Sequence, residues 1–128
     1  MKDYLETHPK SSSCWERLGH IYAETKQFDK AIDSFDHFFV IDKEENYEAL
    51  FYKGKVLMEL GKYQEAIKCF ELCLLYFKLE KKYHLHAAQC YKKLNIQSQE
   101  LYHYRRALAI DPESKEALDA LQITSQLQ

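Results

Sequence analysis

The chain has 128 residues, of which 46% are hydrophobic and 30% charged, a balance typical of a globular domain with one core. Its formal net charge of −2 gives no electrostatic reason to expect nucleic acid as a partner. No apolar run approaches the roughly 18 residues that a membrane span needs, and the N-terminus has no signal-peptide core, so we expect an intracellular protein, cytoplasmic or nuclear, without a membrane span.

The first segment, residues 1–11, contains Pro9, and proline is common just after the end of a helix. Because Pro9 matches the position of Pro112 near the end of the chain, we interpret this segment as the tail of a preceding repeat. A short N-terminal helix that stops at the proline is the alternative. Three glycines and two prolines in the whole chain leave little room for tight turns and favour helices throughout.

Residues 12–46 carry a spaced pattern of large and small residues. Gly19, Tyr22, Ala31 and Phe35 follow Trp15 at offsets of 4, 7, 16 and 20. Apolar residues also recur at helical spacing in both halves of the segment, with polar residues between them. The pattern predicts two amphipathic helices that cross where the residues are small.

The same spacing recurs in residues 47–80, where Gly54, Ala66 and Phe70 are separated by the same offsets as their counterparts in the first segment. The letters around Gly61 predict the turn between the two helices. This second copy keeps the small residues at the expected crossing and therefore predicts a second helix pair.

Residues 81–114 form a third and weaker copy, with Ala88 and Tyr104 in the pattern. The join before it, "LLYFKLEKKYH", contains no proline, glycine or aspartate, and we expect a turn there. The third pair ends at Pro112. Residues 115–128 follow with Leu121 on an apolar face, and we interpret them as a helix that caps the last pair.

This period and pattern resemble the tetratricopeptide repeat, a helix-turn-helix unit of about 34 residues. The resemblance covers about residues 12–114, and it implies an all-α fold, a right-handed α-solenoid of stacked helix pairs within a single domain, 1–128. In this family the first helix of each repeat lines a concave groove that binds partner proteins.

The resemblance also implies which residues line that groove. They lie on the predicted first helices, between the packing positions, and the candidate partner-binding residues are Arg17, His20, Phe51, Tyr52, Lys55, Met58, Lys82, His86, Gln89 and Lys93. The wider set includes Glu24 and Glu59. Aromatic residues inside a polar rim are typical of interaction hot spots, so we expect Phe51 and Tyr52 to anchor the partner. Packing of Phe51 or Met58 against a neighbouring helix is the alternative.

Chaperone-binding members of the family hold a C-terminal carboxylate with lysine, asparagine and arginine side chains. The corresponding residues here are Glu16, His20, Tyr52, Lys82 and His86. Only Lys82 matches, and Glu16 would repel a carboxylate. The sequence therefore disfavours heat-shock chaperone tails as partners.

Histidines and cysteines raise the question of a metal site. His84 and His86 are two residues apart, and such residues point to different sides of a helix. His84 instead occupies the tryptophan position of the repeat. Cys69 and Cys73 lie one helical turn apart, at positions suited to small apolar residues, so we expect buried free thiols. We predict no metal and no cofactor.

No phosphate-binding loop, nucleophile elbow or metalloprotease motif is present, so we expect no enzyme activity. The sequence predicts a non-catalytic adaptor or scaffold that holds a peptide or helix of another protein in its groove. The alternative is a structural segment of a longer repeat array that makes contacts through its ends or associates with itself.

Overall fold

The computed structural model describes residues 12–42 and 46–127, with side chains described to residue 122. This part of the chain is all-α, as the sequence predicted, and contains no strand. Its helices are α1 Ser12–Glu24, α2 Phe28–Ile41, α3 Tyr47–Glu59, α4 Tyr63–Tyr76, α5 Lys81–Lys93, α6 Gln97–Ile110 and α7 Lys115–Leu127. They fall into two compact units that divide after Lys62.

The first unit contains α1, α2 and α3, and its core lies along α2. Ala31 and Phe35 are fully buried there and pack with Val56 of α3. Tyr22 and Phe28 cover the edges of this cluster. The residues that the repeat pattern placed on the inner faces thus form the core, because burial of apolar surface drives the pairing.

The crossing of α1 and α2 depends on Gly19. A Cβ atom at Gly19 would lie 3.0 Å from two atoms of the Phe35 ring. Since Phe35 is fully buried, its ring has no free space into which to retreat. Glycine therefore occupies this position because even a methyl group meets the ring, which confirms the predicted close approach of the two helices.

The second unit contains α4, α5, α6 and α7. Neighbouring helices pack in sequence order, and Ala88, Tyr104, Ala107 and Ala117 form a buried cluster. Two side-chain hydrogen bonds join residues of this unit that are distant in sequence. The Lys81 ammonium donates to the Asp111 carboxylate (2.7 Å), and the Gln89 amide donates to the Glu116 carboxylate (2.6 Å).

Three turns show the repeat in the backbone. Lys26, Gly61 and Asn95 have positive φ angles of 61°, 76° and 60°, and each follows the first helix of its repeat. After each of them the next backbone N–H reaches back five residues, as in the bond from Gln27 to Tyr22. These are Schellman turns, which end a helix with one left-handed residue. The third repeat thus follows the first two in phase.

The join between the second and third repeats is a turn, as predicted. Helix α4 ends at Tyr76 and α5 begins at Lys81, and the Phe77 N–H closes the preceding helix on the Cys73 carbonyl. A helix also forms over Lys115–Leu127. The expectation for residues 1–11 lies outside the described residues.

Within the described ranges, no helix is long and apolar enough to cross a membrane.

Candidate partner-binding site

A pocket of about 570 Å³ opens between α1 and α3 in the first unit. Helix α1 supplies one wall and α3 the other, and the turn after α1 closes one end. We call this the first-unit pocket; it is lined by His20, Ala23, Glu24, Lys26, Phe28, Tyr52, Lys55, Val56 and Glu59. Its volume lies within the range of protein ligand sites.

Three predicted groove residues meet in this pocket. The His20 ring contacts the Tyr52 ring edge to face, with centroids 4.6 Å apart. The Lys55 ammonium lies 5.0 Å from the Tyr52 ring centroid, within cation–π distance. Tyr52 is 37% exposed although both neighbours contact it. The arrangement holds an aromatic face in place at the pocket wall, where a ligand side chain can pack against it.

His20 is itself held in place from behind. Its ring lies edge-on to the buried Phe35 ring, with centroids 5.3 Å apart, and its Nε2 atom is 3.9 Å from the Glu16 carboxylate. Because Phe35 is part of the core, the orientation of His20 is tied to the packing of α1 on α2. Less side-chain entropy is lost on binding when a contact residue is already ordered.

The charges around the pocket balance. Lys26 and Lys55 contribute two positive charges, and Glu24 and Glu59 contribute two negative ones. Ala23 and Val56 supply apolar surface between them. Such a lining accepts an apolar side chain flanked by polar groups, and it gives no strong preference for a ligand of one sign.

Phe51 requires a correction, because its side chain is only 4% exposed and does not reach the pocket. It lies three residues before the buried Gly54, on the core face of α3. Tyr52 lies three and seven residues before Lys55 and Glu59, on the pocket face. These two aromatic residues are adjacent in sequence, so the turn of the helix between them directs Phe51 to the core and Tyr52 to the pocket. Met58 is half-buried and is not among the pocket residues.

The remaining predicted residues lie elsewhere on the two units. Arg17 is exposed on α1, outside the pocket. The other four are on α5 in the second unit: Lys82, His86, Gln89 and Lys93. Of these, His86 Nδ1 bonds to the Lys82 backbone carbonyl (2.8 Å), and Gln89 donates to Glu116. Lys93 is exposed in the last turn of α5.

Sequence reasoning missed four pocket residues: Ala23, Lys26, Phe28 and Val56. Helical spacing contained a signal for two of them, since Ala23 follows His20 by three positions and Val56 follows Tyr52 by four. Lys26 and Phe28 enter the pocket through the Schellman turn, whose left-handed residue is Lys26 itself. Nothing in that residue type indicates such a turn.

The structure shows the surroundings of the thiols that the sequence singled out. Cys69, Cys73 and Cys90 are buried and in no disulfide, and burial raises the pKa of Cys90 to about 12. A thiol with so high a pKa is a poor nucleophile and metal ligand at neutral pH. Among the described residues, no three potential metal-ligating side chains lie together.

Comparison with protein families identifies the two first repeats. Residues 12–44 and residues 47–80 each match a family model described as tetratricopeptide repeat. Together these matches cover more than half of the chain. A search of curated proteins found no significant match.

Solved structures show the same fold. MamA is similar with a TM-score of 0.82 and 20% identity, over 91% of this chain and 67% of that one. The first tetratricopeptide domain of Spaghetti (RPAP3), bound to the HSP90 peptide SRMEEVD, matches with a TM-score of 0.79 and 20% identity over 91% of each chain. PcrH, in complex with the chaperone-binding region of PopB, matches with 0.73 and 19%, over 85% of this chain and 90% of that one. At these identities the likeness concerns the fold.

Proposed function

The chain belongs to the tetratricopeptide repeat family, a generally non-catalytic protein-interaction fold, and from that premise we propose a non-catalytic adaptor that binds a partner peptide or helix in the first-unit pocket. Its general role as a protein–protein interaction module follows from the family. The partner surface, the adaptor role and the absence of catalysis are our proposal.

The observation that carries this proposal is the meeting of His20, Tyr52 and Lys55 in one pocket. A half-exposed aromatic ring held between an imidazole and an ammonium offers a rigid surface with a polar rim. Rigid aromatic residues of this kind dominate the energetics of protein interfaces. Two proteins of the same fold bind peptides or protein segments, RPAP3 and PcrH, which makes a peptide-sized ligand a reasonable expectation here.

We propose the following ligand chemistry. An aliphatic or aromatic side chain of the partner packs on the Tyr52 ring and on the methyl groups of Ala23 and Val56. A neighbouring acidic residue pairs with Lys55, and a basic or amide group meets Glu24 or Glu59. Partner binding by Lys82 and Lys93, two of the candidate groove residues, stays a prediction.

The proposal disfavours heat-shock chaperone tails as ligands. Glu16 lies beside His20, where a second carboxylate would meet a like charge, and Tyr52 carries no amide to hold it. Titration of the protein with the peptide SRMEEVD, followed by calorimetry, is expected to give no measurable binding. Saturable binding that a Glu16→Gln variant strengthens would instead show that a chaperone tail is a natural ligand class.

The main test compares partner capture by three proteins: wild type, Tyr52→Glu/Lys55→Glu, and Tyr102→Glu/Arg106→Glu. The two variants exchange the same kinds of residue, an exposed tyrosine and a cation, and they change the net charge equally. Circular dichroism melts establish that each variant is folded. Captured proteins are identified from cell extract by mass spectrometry.

A partner captured by wild type and by the Tyr102 variant, but not by the Tyr52 variant, supports the first-unit pocket. A synthetic peptide from that partner then binds wild type and loses about tenfold or more in affinity with the Tyr52 variant, the cost of a disrupted hot spot. Equal capture by all three proteins refutes the pocket as the partner surface. Contacts through the repeat ends, or self-association, then become the leading account.

Four cysteines, none of them in a disulfide, support an intracellular location as part of the proposal, since oxidising compartments favour disulfides. No metal or cofactor enters the proposed function.

A further inference from the structure

A second pocket, with a volume of about 620 Å³, lies within the second unit, far along the chain from the residues described above. Helices α4 and α6 form its walls, and His84 of α5 lies at its base. We call it the second-unit pocket; it is lined by Glu71, Leu74, Leu75, Lys78, His84, Gln99, Tyr102, His103 and Arg106.

The base of this pocket is a pair of buried histidines. The Nδ1 atoms of His84 and His103 are 3.0 Å apart, so one N–H donates to the lone pair of the other. Both side chains are 5% exposed. Two protonated rings cannot form this bond, because both nitrogens would then carry hydrogen. Burial lowers the pKa of both groups, that of His103 to about 4, so the pair is neutral at pH 7.

The acidic side chain among the lining residues, Glu71, is already engaged. The Tyr91 ring stacks on the His103 ring, with centroids 5.5 Å apart and ring planes inclined by 11°. Its hydroxyl donates a hydrogen bond to the Glu71 carboxylate (2.7 Å). The Glu71 carboxylate thus already accepts a hydrogen bond within the protein, which partly satisfies its negative charge at the pocket wall.

The rim is basic and the walls are apolar. Lys78 and Arg106 line the pocket, and no ion pair within the described residues engages either of them. Leu75 is 61% exposed and Tyr102 is 50% exposed. Leu72, Phe77 and Leu79 are exposed nearby in the chain. Apolar surface concentrated in this way, beside unpaired cations, indicates an interaction site.

The repeat itself accounts for this pocket. His84 occupies the repeat position of Trp15, and Arg106 occupies that of His37. In the first repeat the Trp15 indole lies flat on the His37 ring, with centroids 4.3 Å apart. In the third repeat the smaller imidazole turns to His103 and leaves the space beside Arg106 open. The site therefore arises from a substitution at one repeat position.

We propose that the second-unit pocket is a second docking site, which takes a short acidic segment of a partner protein with a leucine or phenylalanine beside its acidic residues. The apolar side chain packs between Leu75 and Tyr102, and the adjoining carboxylates pair with Arg106 and Lys78. The guanidinium of Arg106 can bind a carboxylate through two parallel hydrogen bonds. Charge complementarity selects this occupant, since the rim offers two cations and its carboxylate is engaged.

The test uses two synthetic peptides, Ser-Asp-Glu-Leu-Phe-Glu-Asp-Ser and a twin in which every acidic residue is lysine. Each is titrated into the isotope-labelled full chain, and backbone amide shifts are followed by NMR. The acidic peptide is expected to shift the amides of Leu75, Tyr102 and Arg106 saturably. The basic twin is expected to bind at least about tenfold more weakly, as reversed charge complementarity requires.

Two variants complete the experiment. Tyr102→Glu/Arg106→Glu is expected to weaken the acidic peptide by at least about tenfold, whereas Lys62→Glu, a charge reversal at an exposed residue outside both pockets, binds it as wild type does. Both variants carry exposed substitutions, and their folding is verified by circular dichroism. Equal binding of the two peptides, shifts confined to α1 and α3, or no saturable shift would each overturn the proposal. A dimerisation in sedimentation equilibrium that Leu75→Glu abolishes would assign the face to a second copy of the chain and overturn it as well.

Discussion

Residues at equivalent positions of the first and third repeats make different contacts. Trp15 and Ser34 of the first repeat correspond to His84 and His103 of the third. Trp15 stacks on a neighbouring ring, and the Ser34 hydroxyl donates to the Lys30 carbonyl of its own helix (3.0 Å). His84 and His103 instead bond each other across two helices. A repeat position that is only a packing residue in one copy can thus become a polar pair and open a pocket in another.

The two units also differ in the residues that pack where their helices cross. In the first unit, a glycine lets an aromatic ring approach α1 directly. In the second unit, Ala88 takes the glycine position, and small residues and thiols fill much of the core. The first unit should therefore be sensitive to changes in side-chain volume, and the second to protonation. The following predictions are ordered by the size of the expected effect.

The largest expected difference between the two units is in the reactivity of their cysteine thiols. Cys14 of α1 is half-buried, whereas the three cysteines of the second unit are buried. Under native conditions we expect Cys14 to react with a thiol reagent at least about a hundredfold faster, because buried thiols react only after local opening. Stopped-flow absorbance measures the phases. Cys14→Ser should abolish the fast phase, and a fast phase that persists would show that the second unit opens readily.

Enlarging Gly19 should break the first unit. We expect Gly19→Val to lower the free energy of unfolding by about 3 kcal/mol, since the branched side chain would overlap the buried Phe35 ring. Urea denaturation measures the loss. Ala88→Gly, at the same position of the third repeat, should cost about 2 kcal/mol, roughly half from helix propensity and half from the lost buried methyl group. Equal losses would contradict the close contact of Gly19 with Phe35.

Acid should weaken the second unit through its histidine pair. The unfolded chain protonates His103 near pH 6.5, but the folded chain does so only near pH 4, because burial lowers its pKa. Stability from this group is complete above pH 6.5 and is lost as the pH falls toward 4. The loss is about 3 kcal/mol by linkage. Urea denaturation across this range measures it.

His103→Gln tests the assignment, since the amide can donate to His84 but does not titrate. We expect this variant to lose much less stability between pH 7 and pH 4 than wild type. Gln97→Ala, at an exposed residue of the same helix, serves as control and should keep the wild-type dependence. If the two variants behave alike, the histidine pair is not the source of acid sensitivity.

The smallest expected effects are on stability, from two substitutions in the Schellman turns that should act in opposite directions. Lys26 holds a left-handed backbone with a side chain, whereas Gly61 holds it without one. We expect Lys26→Gly to stabilise the protein by about 0.5 kcal/mol and Gly61→Ala to destabilise it by about 1 kcal/mol. No atom lies within 4 Å of a Cβ at Gly61, so only the backbone angle acts there. Thermal melts that move in the same direction would contradict this explanation.

Much of the fold could be predicted from the sequence, because each repeat residue meets its partners inside one helix pair. The spacing of Gly19, Ala31 and Phe35 predicts the crossing that the structure has, and the turn before α5 was expected although it lacks glycine and proline. The site was only partly predictable. His20, Tyr52 and Lys55 do meet, but Phe51 is buried, since one step around α3 separates core from surface.

The second-unit pocket could not be predicted, because it depends on contacts between residues that no repeat rule relates. His84 is recognisable in the sequence as a substitution in a weak repeat, but its hydrogen bond to His103 is not. The pairing of Tyr91 with Glu71 is of the same kind, since it joins two helices through side-chain tips.

The sequence by itself determined the helix pairs, their period and the small residues at their crossings, because local helical spacing and side-chain volume suffice for those. Only the tertiary structure decided which aromatic side chain reaches the surface and which polar groups satisfy one another. Those outcomes depend on the rotation of each helix about its axis and on distances between helices, which the order of residues does not contain.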